Sequence, residues 1–500
     1  MDQGTQTSEA VVAGDFGVVG GPGADARGGS EAPGGTAVGV GAALARTVRH
    51  FWPELNSRLE ALPDTRYQPF VVYDAKFMVW WGLSLFLCKL ESRRQLDFAL
   101  RDLETCVLPN VNRLAETQQE TLPCHDTLDH FVSHVGAEAF AELRTGMVRS
   151  LVRGRVLEKS RLEGYYVILL DATGTVVFRK RHCPQCLKST SHGQTYYMHH
   201  VLEAKLITPE GLVFSIGSEF IENPMPEGGA TEAEYEKLKQ DCELNAFRRL
   251  APQLKKDFPQ LRICIAGDSL YACGPVIQTC EDYRWKYVFT FKSGRTPALW
   301  KEFQALKTLC PDNRVSRTPA NHPHQEFRWV NRLSYQDSDN REHTFDAIEC
   351  TETGVPVRRT QTGETADHQF AWITNFHVAS RNVTAISQKG GRNRWKIENQ
   401  GFNTQKNGGY NLEHAYSFAA TNLKAFYYLM QIAHIIAQLL EAGSLLRNLA
   451  RKAGKTVIQL FGSIRNIARR LLDCFRYMLI PQHAYDAAAA AHIQIRLDTS

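Results

Sequence analysis

Tyr165–Thr173 reads YYVILLDAT, an unbroken apolar and β-branched run that closes on one acid, Asp171. A run of this kind is a strand covered on both faces, as in the middle of a sheet. The acid that ends it belongs at an opening, because burying a lone carboxylate is costly. Leu261–Leu270, LRICIAGDSL, repeats the pattern and ends in Asp268. A single Asp at a strand end is commonly a turn former or a helix cap. Two of them, on two buried strands, ask to be placed relative to one another. Tyr196–Ile207 and Gly211–Phe220 read as a hairpin across TPEG that pairs with the Asp171 strand. Thr231–Asp257 reads as a long charged helix leading straight into the Asp268 strand. Such a helix is a crossover, and it sets the two Asp-bearing strands side by side.

A third carboxylate lies downstream. Arg392–Tyr410, RNRWKIENQGFNTQKNGGY, reads as one amphipathic helix on which Arg394, Glu398, Phe402 and Gln405 share a face. Alone it would equally be a surface helix with a solvated Arg–Glu pair. With Asp171 and Asp268 it completes a set of three carboxylates at strand ends. Hard carboxylate oxygens in that arrangement hold two Mg2+ ions.

The order Asp171, Asp268, Glu398, with RWKIEN around the Glu, resembles the DDE transposases of bacterial insertion sequences. The resemblance runs from about Leu62 to about His414, through SRRQ at Ser92, LLDATG at Leu169, KQDCELNAFRRLAPQLKKDFPQLRICIAGDSLYA at Lys239 and WKIENQGFNTQKN at Trp395. It implies an α/β fold: a ribonuclease-H-like mixed sheet with flanking helices and a β-rich insertion. It also implies a Mg2+-dependent endonuclease that cuts the inverted-repeat ends of a mobile element and joins them to target DNA, assembled as a homodimer. Arg394 and Lys406 would contact phosphate near the scissile bond. Two positions depart from the family pattern. Gly391 stands three before Arg394, where a tyrosine is usual, and Gln405 stands seven after Glu398, where a lysine is usual, with Lys406 next. The alternatives are a ribonuclease-H-like nuclease without strand transfer and a transposase-derived DNA-binding regulator that does not cut.

The rest of the chain divides around this core. Residues 1–45 hold 12 of the 36 glycines and read as disordered, because so few large apolar side chains cannot offset the entropy of ordering. They lack the apolar block of a signal peptide, and with 12 cysteines in 500 residues the expectation is reduced thiols in a cytoplasmic, nucleoid-associated protein. Residues 46–160 read as helical. Arg93, Arg94 and the later Arg144, Arg149, Arg153 and Arg155 suit phosphate contacts. Within the catalytic region 161–410, the insertion spans about 296–368, with FRWVNRLSY and HTFDAIECT as an extra hairpin. Cys183 and Cys186 form a CxxC that reads first as two free thiols in a polar loop; the alternative is a structural Zn2+ site to which they supply two ligands, with His192 and either His182 or His199 to complete it. Residues 411–500 read as helical. From 441 to 480 they carry eight Arg or Lys against two acids, a basic amphipathic surface for DNA or a partner subunit. The run Ala425–Leu440 is broken by Gln431, His434 and Gln438, so it reads as a core helix and not a membrane span.

Overall fold

The computed structural model describes residues 33–101, 106–224, 240–320, 323–356, 365–486 and 494–497. Ten strands form one sheet: β1 (Tyr166–Phe178), β2 (Leu187–Ser191), β3 (Gln194–Ile207), β4 (Val213–Ile221), β5 (Ile263–Gly267), β6 (Lys286–Thr290), β7 (Arg314–Arg317), β8 (His324–Gln336), β9 (Glu342–Pro356) and β10 (Thr365–Thr374). Their order is β2-β3-β1-β5-β6-β10-β9-β8-β7, with β4 also paired to β3. Only the β1–β5 and β5–β6 pairs are parallel. The protein is therefore a mixed α/β structure on a mostly antiparallel sheet.

Helices α1 (Pro33–Phe51), α2 (Ala75–Leu87), α3 (Val107–Ala115), α4 (His125–Val135) and α5 (Ala137–Arg153) precede the sheet. Within it come α6 (Glu243–Asp257), α7 (Gly274–Asp282) and α8 (Pro297–Leu309). Helices α9 (Ala420–Ala442), α10 (Ser444–Lys452), α11 (Val457–Phe461) and α12 (Ile464–Tyr477) follow. The crossover helix α6 begins at Glu243, later than Thr231; residues 225–239 lie outside the described residues, as does the tail at Ala487–Ala491. The expected hairpin is the β8–β9 pair. It does not form a separate layer, because β10 pairs with both β9 and β6 and continues the same sheet.

Alternation along β3 and β4 separates the two faces. Ala204 opposes Gly217 on the face covered by α6, where Leu250 and Leu254 pack on the Gly217 backbone. Glu203, Lys205, Ser215 and Ser218 point to the other face, under α5 and α9. Helix α9 is long and apolar enough to cross a membrane by length and composition, yet 89% of that window is buried inside the protein. It packs against α2, α4 and α5. Toward the sheet it presents a polar stripe at three- and four-residue spacing. Lys424 Nζ donates to Glu222 (2.7 Å) and the Tyr427 hydroxyl to Glu203 (2.6 Å). Gln405 Nε2 donates to Gln431 Oε1 (2.8 Å) and lies 2.9 Å from His434 Nδ1, and Gln438 bonds both backbone groups of Val213. Burial holds the His434 imidazole well below its ordinary titration range, so it is neutral and its Nδ1 accepts from Gln405. Polar groups inserted into a core must be satisfied in this way.

Two expectations are corrected by the packing. The segment 33–45, read as disordered, is helical: Val40, Leu44 and Val48 recur at helical spacing and are buried against α10 and α12. The glycine content masked that spacing; residues 1–32 lie outside the described residues. The N-terminal arginines do not form one phosphate-facing side. Arg144 is 3% exposed and donates to Ser215 and Ser218, and Arg149 donates to the Asp257 carbonyl (2.6 Å). Long amphipathic side chains of this type cover apolar surface as readily as they face solvent. Arg153 and Arg155 are exposed.

Candidate active site

Strands β1 and β5 run parallel with Leu169 opposite Ala266. Asp171 and Asp268 each stand two residues further along, so they are neighbours at the same height and on the same face of the sheet. The helical stretch 386–407 crosses that face and brings Glu398 to them. Asp171, Asp268, Glu398, Arg394, Lys292 and Trp395 all line one cleft of about 550 Å³.

The electrostatics of the cleft follow from burial first and crowding of like charge second. The Asp171 carboxyl is pushed up to about 7, by burial first, then by Glu398, Glu243 and Asp268, with Arg394 opposing. Glu243, the first residue of α6, is itself raised by burial, and the Tyr271 hydroxyl bonded to it offsets part of that rise. Arg394 donates to Glu398 Oε1 at 2.9 Å. Asp268 Oδ1 accepts from the Leu270 amide (2.8 Å), which fixes the turn that follows β5.

No protein-family model matches this chain, and no curated protein matches it. The chemistry of the cleft is therefore read from its own residues. Three carboxylates offer hard oxygen donors, and Asp171 is raised by burial first and by its acidic neighbours second. A divalent cation suits that donor set and that charge.

The winding of the Glu398 segment differs from the expected single α-helix. Ile386–Gly391 and Ile397–Phe402 are wide π turns, Arg392–Arg394 is 3-10, and Asn403–Asn407 is α. Wide turns of this kind redistribute side chains around a helix and recur at functional sites. Arg394 and Glu398 remain in contact in the cleft, while Phe402 and Gln405 point inward. Gln405 is fully buried and accepts from Lys205 Nζ (3.0 Å), which lies 4.5 Å from the Phe402 ring. Lys406 is turned away from the cleft and pairs with Glu413 at 2.6 Å. Arg93 is held by the His125 carbonyl, Asp126 and Asp129, and Arg94 is exposed; neither lines the cleft.

Gly391 has a steric reason. A Cβ there would lie 2.3 Å from the Trp372 indole, so the ring from β10 fills the space that a larger residue would need. Gly391→Ala is expected to cost about 1–3 kcal/mol through overpacking, read as a lower Tm, while a surface Gly294→Ala control changes little.

Lys292 and Glu243 went unremarked in the sequence. Lys292 is exposed just past β6, the strand beside the Asp268 strand, and the register of those strands was the only signal that pointed to it. Glu243 reads as an ordinary acid in a helix first turn.

The Asp171 shift sets a pH expectation. A carboxyl whose folded-state value is raised binds its proton more tightly in the folded chain. Stability is then fully present below the ordinary carboxyl range and is lost as pH rises from there through about 7. With divalent ions chelated, stability should fall between pH 5 and pH 8 by about 3 kcal/mol from this group, read as a lower Tm. Asp171→Asn should flatten that fall, and an unchanged slope would remove the shift from the account.

Proposed function

We propose that the chain is a DDE transposase with a ribonuclease-H-like core. The observation that carries the reading is the placement of Asp171 and Asp268, each two residues past the last parallel β1–β5 pair, with Glu398 brought to the same cleft from 130 residues further on; Asp171 does not end its strand as expected, because β1 runs on to Phe178 against β3. The antiparallel path β1–β3–β4, followed through α6 by parallel β5 and β6, supports the ribonuclease-H-like assignment.

Asp171, Asp268 and Glu398 would hold two Mg2+ ions. Bound there, the ions would activate a water or a 3′-hydroxyl and stabilise the leaving oxygen. The protein's own groups orient the DNA. Lys292 and Arg394 line the cleft as cations for the phosphates that flank the scissile bond. Trp395 is 46% exposed at the same cleft and offers a face on which an unpaired base can stack. Deprotonated Asp171 is required for ligation, and a bound divalent cation would favour that form.

The test uses purified protein, Mg2+ and end-labelled duplex ending in the inverted repeats that flank the gene. Joining to a second duplex supports the transposase. Cutting without joining replaces it with a nuclease, and a shifted but uncut duplex replaces it with a regulator.

A further inference from the structure

Away from the carboxylate cleft, Cys183, Cys186 and His199 form the group among the described residues whose ligand atoms all lie within 4.8 Å of one another. The Sγ atoms of Cys183 and Cys186 are 3.5 Å apart, and His199 Nε2 is 3.3 Å from the first and 3.4 Å from the second. At 3.5 Å the two sulfurs are not a disulfide. A tetrahedral zinc with ordinary Zn–S and Zn–N bonds would set sulfurs about 3.8 Å apart and sulfur and nitrogen about 3.6 Å apart. The triangle is thus already near the size that an ion requires.

The surroundings are built for ligation. The CxxC turn closes through Cys186 N to the Cys183 carbonyl (3.2 Å). Asn223 pins it twice, through its amide to the Gln185 carbonyl (3.0 Å) and its Nδ2 to the Cys186 carbonyl (2.9 Å). His199 Nδ1 lies 3.2 Å from Glu222 Oε1, an acceptor that fixes the ring with Nε2 toward the thiols. Lys424 of α9 holds the other Glu222 oxygen at 2.7 Å. A carboxylate behind a ligating imidazole is the usual support of a metal-bound histidine.

The histidine that joins the two cysteines is His199 and not the expected His192. His192 sits at the tip of the β2–β3 hairpin, exposed, with His192 and Gly193 both at positive φ. That two-residue turn sets Leu187 opposite Met198, so the next pair outward is Cys186 and His199. His182 is committed to the Phe418 carbonyl at 2.6 Å.

We propose that Cys183 Sγ, Cys186 Sγ and His199 Nε2 bind one Zn2+, with water from solvent in the fourth position beside the half-buried Cys183. Soft thiolates with an imidazole select zinc over the Mg2+ of the carboxylate cleft. The ion would tie the outer end of β3 to α9 through Glu222 and Lys424, and so clamp the sheet to the helix that covers it.

The experiment measures zinc in the full-length protein, purified without chelating resin under reducing conditions, by elemental analysis, and repeats it after Zn2+ addition and desalting. About one zinc per chain is expected in the wild type and in His192→Ala. Cys186→Ser and His199→Ala should lose it. Glu222→Gln keeps every ligand and should weaken zinc about 10–100-fold in a competition titration with a chromogenic chelator. Cobalt substituted into the wild type should show thiolate-to-metal charge-transfer absorption, a readout independent of how the variants fold. The proposal is overturned if reduced wild-type protein takes up no zinc, or if His192→Ala loses zinc while His199→Ala keeps it.

Discussion

Alanine at Asp171, at Asp268 or at Glu398 is expected to abolish DNA cutting and to leave binding of the DNA ends nearly unchanged. Each change removes one hard oxygen donor from a cleft that holds two more, and Lys292 and Arg394, the cations proposed to meet phosphate, stay in place. Loss of a ligand is paid in the transition state, so the rate should drop by about 10³-fold or more, which is about 4 kcal/mol. Asp171→Ala should also remove a carboxylate that burial first, and then the neighbouring acids, make costly to ionise, so that protein should be at least as stable as the wild type without divalent ions at pH 8. Gel-shift and cleavage assays on the same preparations separate the two effects. Cutting that survives in one of the three variants would remove that residue from the site.

Ending the chain after Tyr410 is expected to prevent folding altogether, not merely to delete a basic DNA-binding surface. Helix α9 buries Phe426, Leu429, Met430, Ile432, Ile435, Ile436, Leu439 and Leu440. Each such side chain contributes about 1.5–3 kcal/mol on burial, and the set outweighs the ~5–15 kcal/mol by which a folded protein is stable. The truncation would also strip partners from Glu203, which is fully buried and bonded to Tyr427, and from Gln405, which is bonded to Gln431 and His434. Insoluble or unfolded protein by circular dichroism is the expected outcome. A soluble, cooperatively melting product of residues 1–410 would show that the sheet carries its own core.

What was legible in the sequence follows from the range of each signal. The apolar runs that lead to Asp171 and Asp268 are local signals, and the helix between them forces a parallel pair, so their adjacency follows from short-range patterns, although β1 itself continues past Asp171 to Phe178. Glu398 was read from its helix face and from the two upstream acids, a pattern that a solvated Arg–Glu pair on a surface helix shares. Its helix was misread as regular because nothing in RNRWKIENQGFNTQKN distinguishes a π turn from an α turn. Arg144 and Arg149 looked like surface charge, since an arginine bonded to buried serines has the same spacing as one facing water. His199 was within reach. The SHGQ turn fixes the β2–β3 register, and counting outward from it pairs Cys186 with His199. The stripe Lys424, Tyr427, Gln431, His434 and Gln438 was visible as interruptions in an apolar helix, but its partners come from β3, β4 and the Glu398 segment and are long-range.

The central claim, that Asp171, Asp268 and Glu398 jointly hold divalent ions, is tested most directly by iron-directed cleavage of the protein itself. Fe2+ takes the place of Mg2+, and ascorbate with peroxide then produces hydroxyl radicals that cut the backbone beside the bound ion. The account predicts cuts clustered near residues 171, 268 and 398, suppressed by excess Mg2+ and lost in Asp171→Ala. Cuts confined to the region of Cys183 and Cys186, or scattered without regard to the three carboxylates, would contradict it.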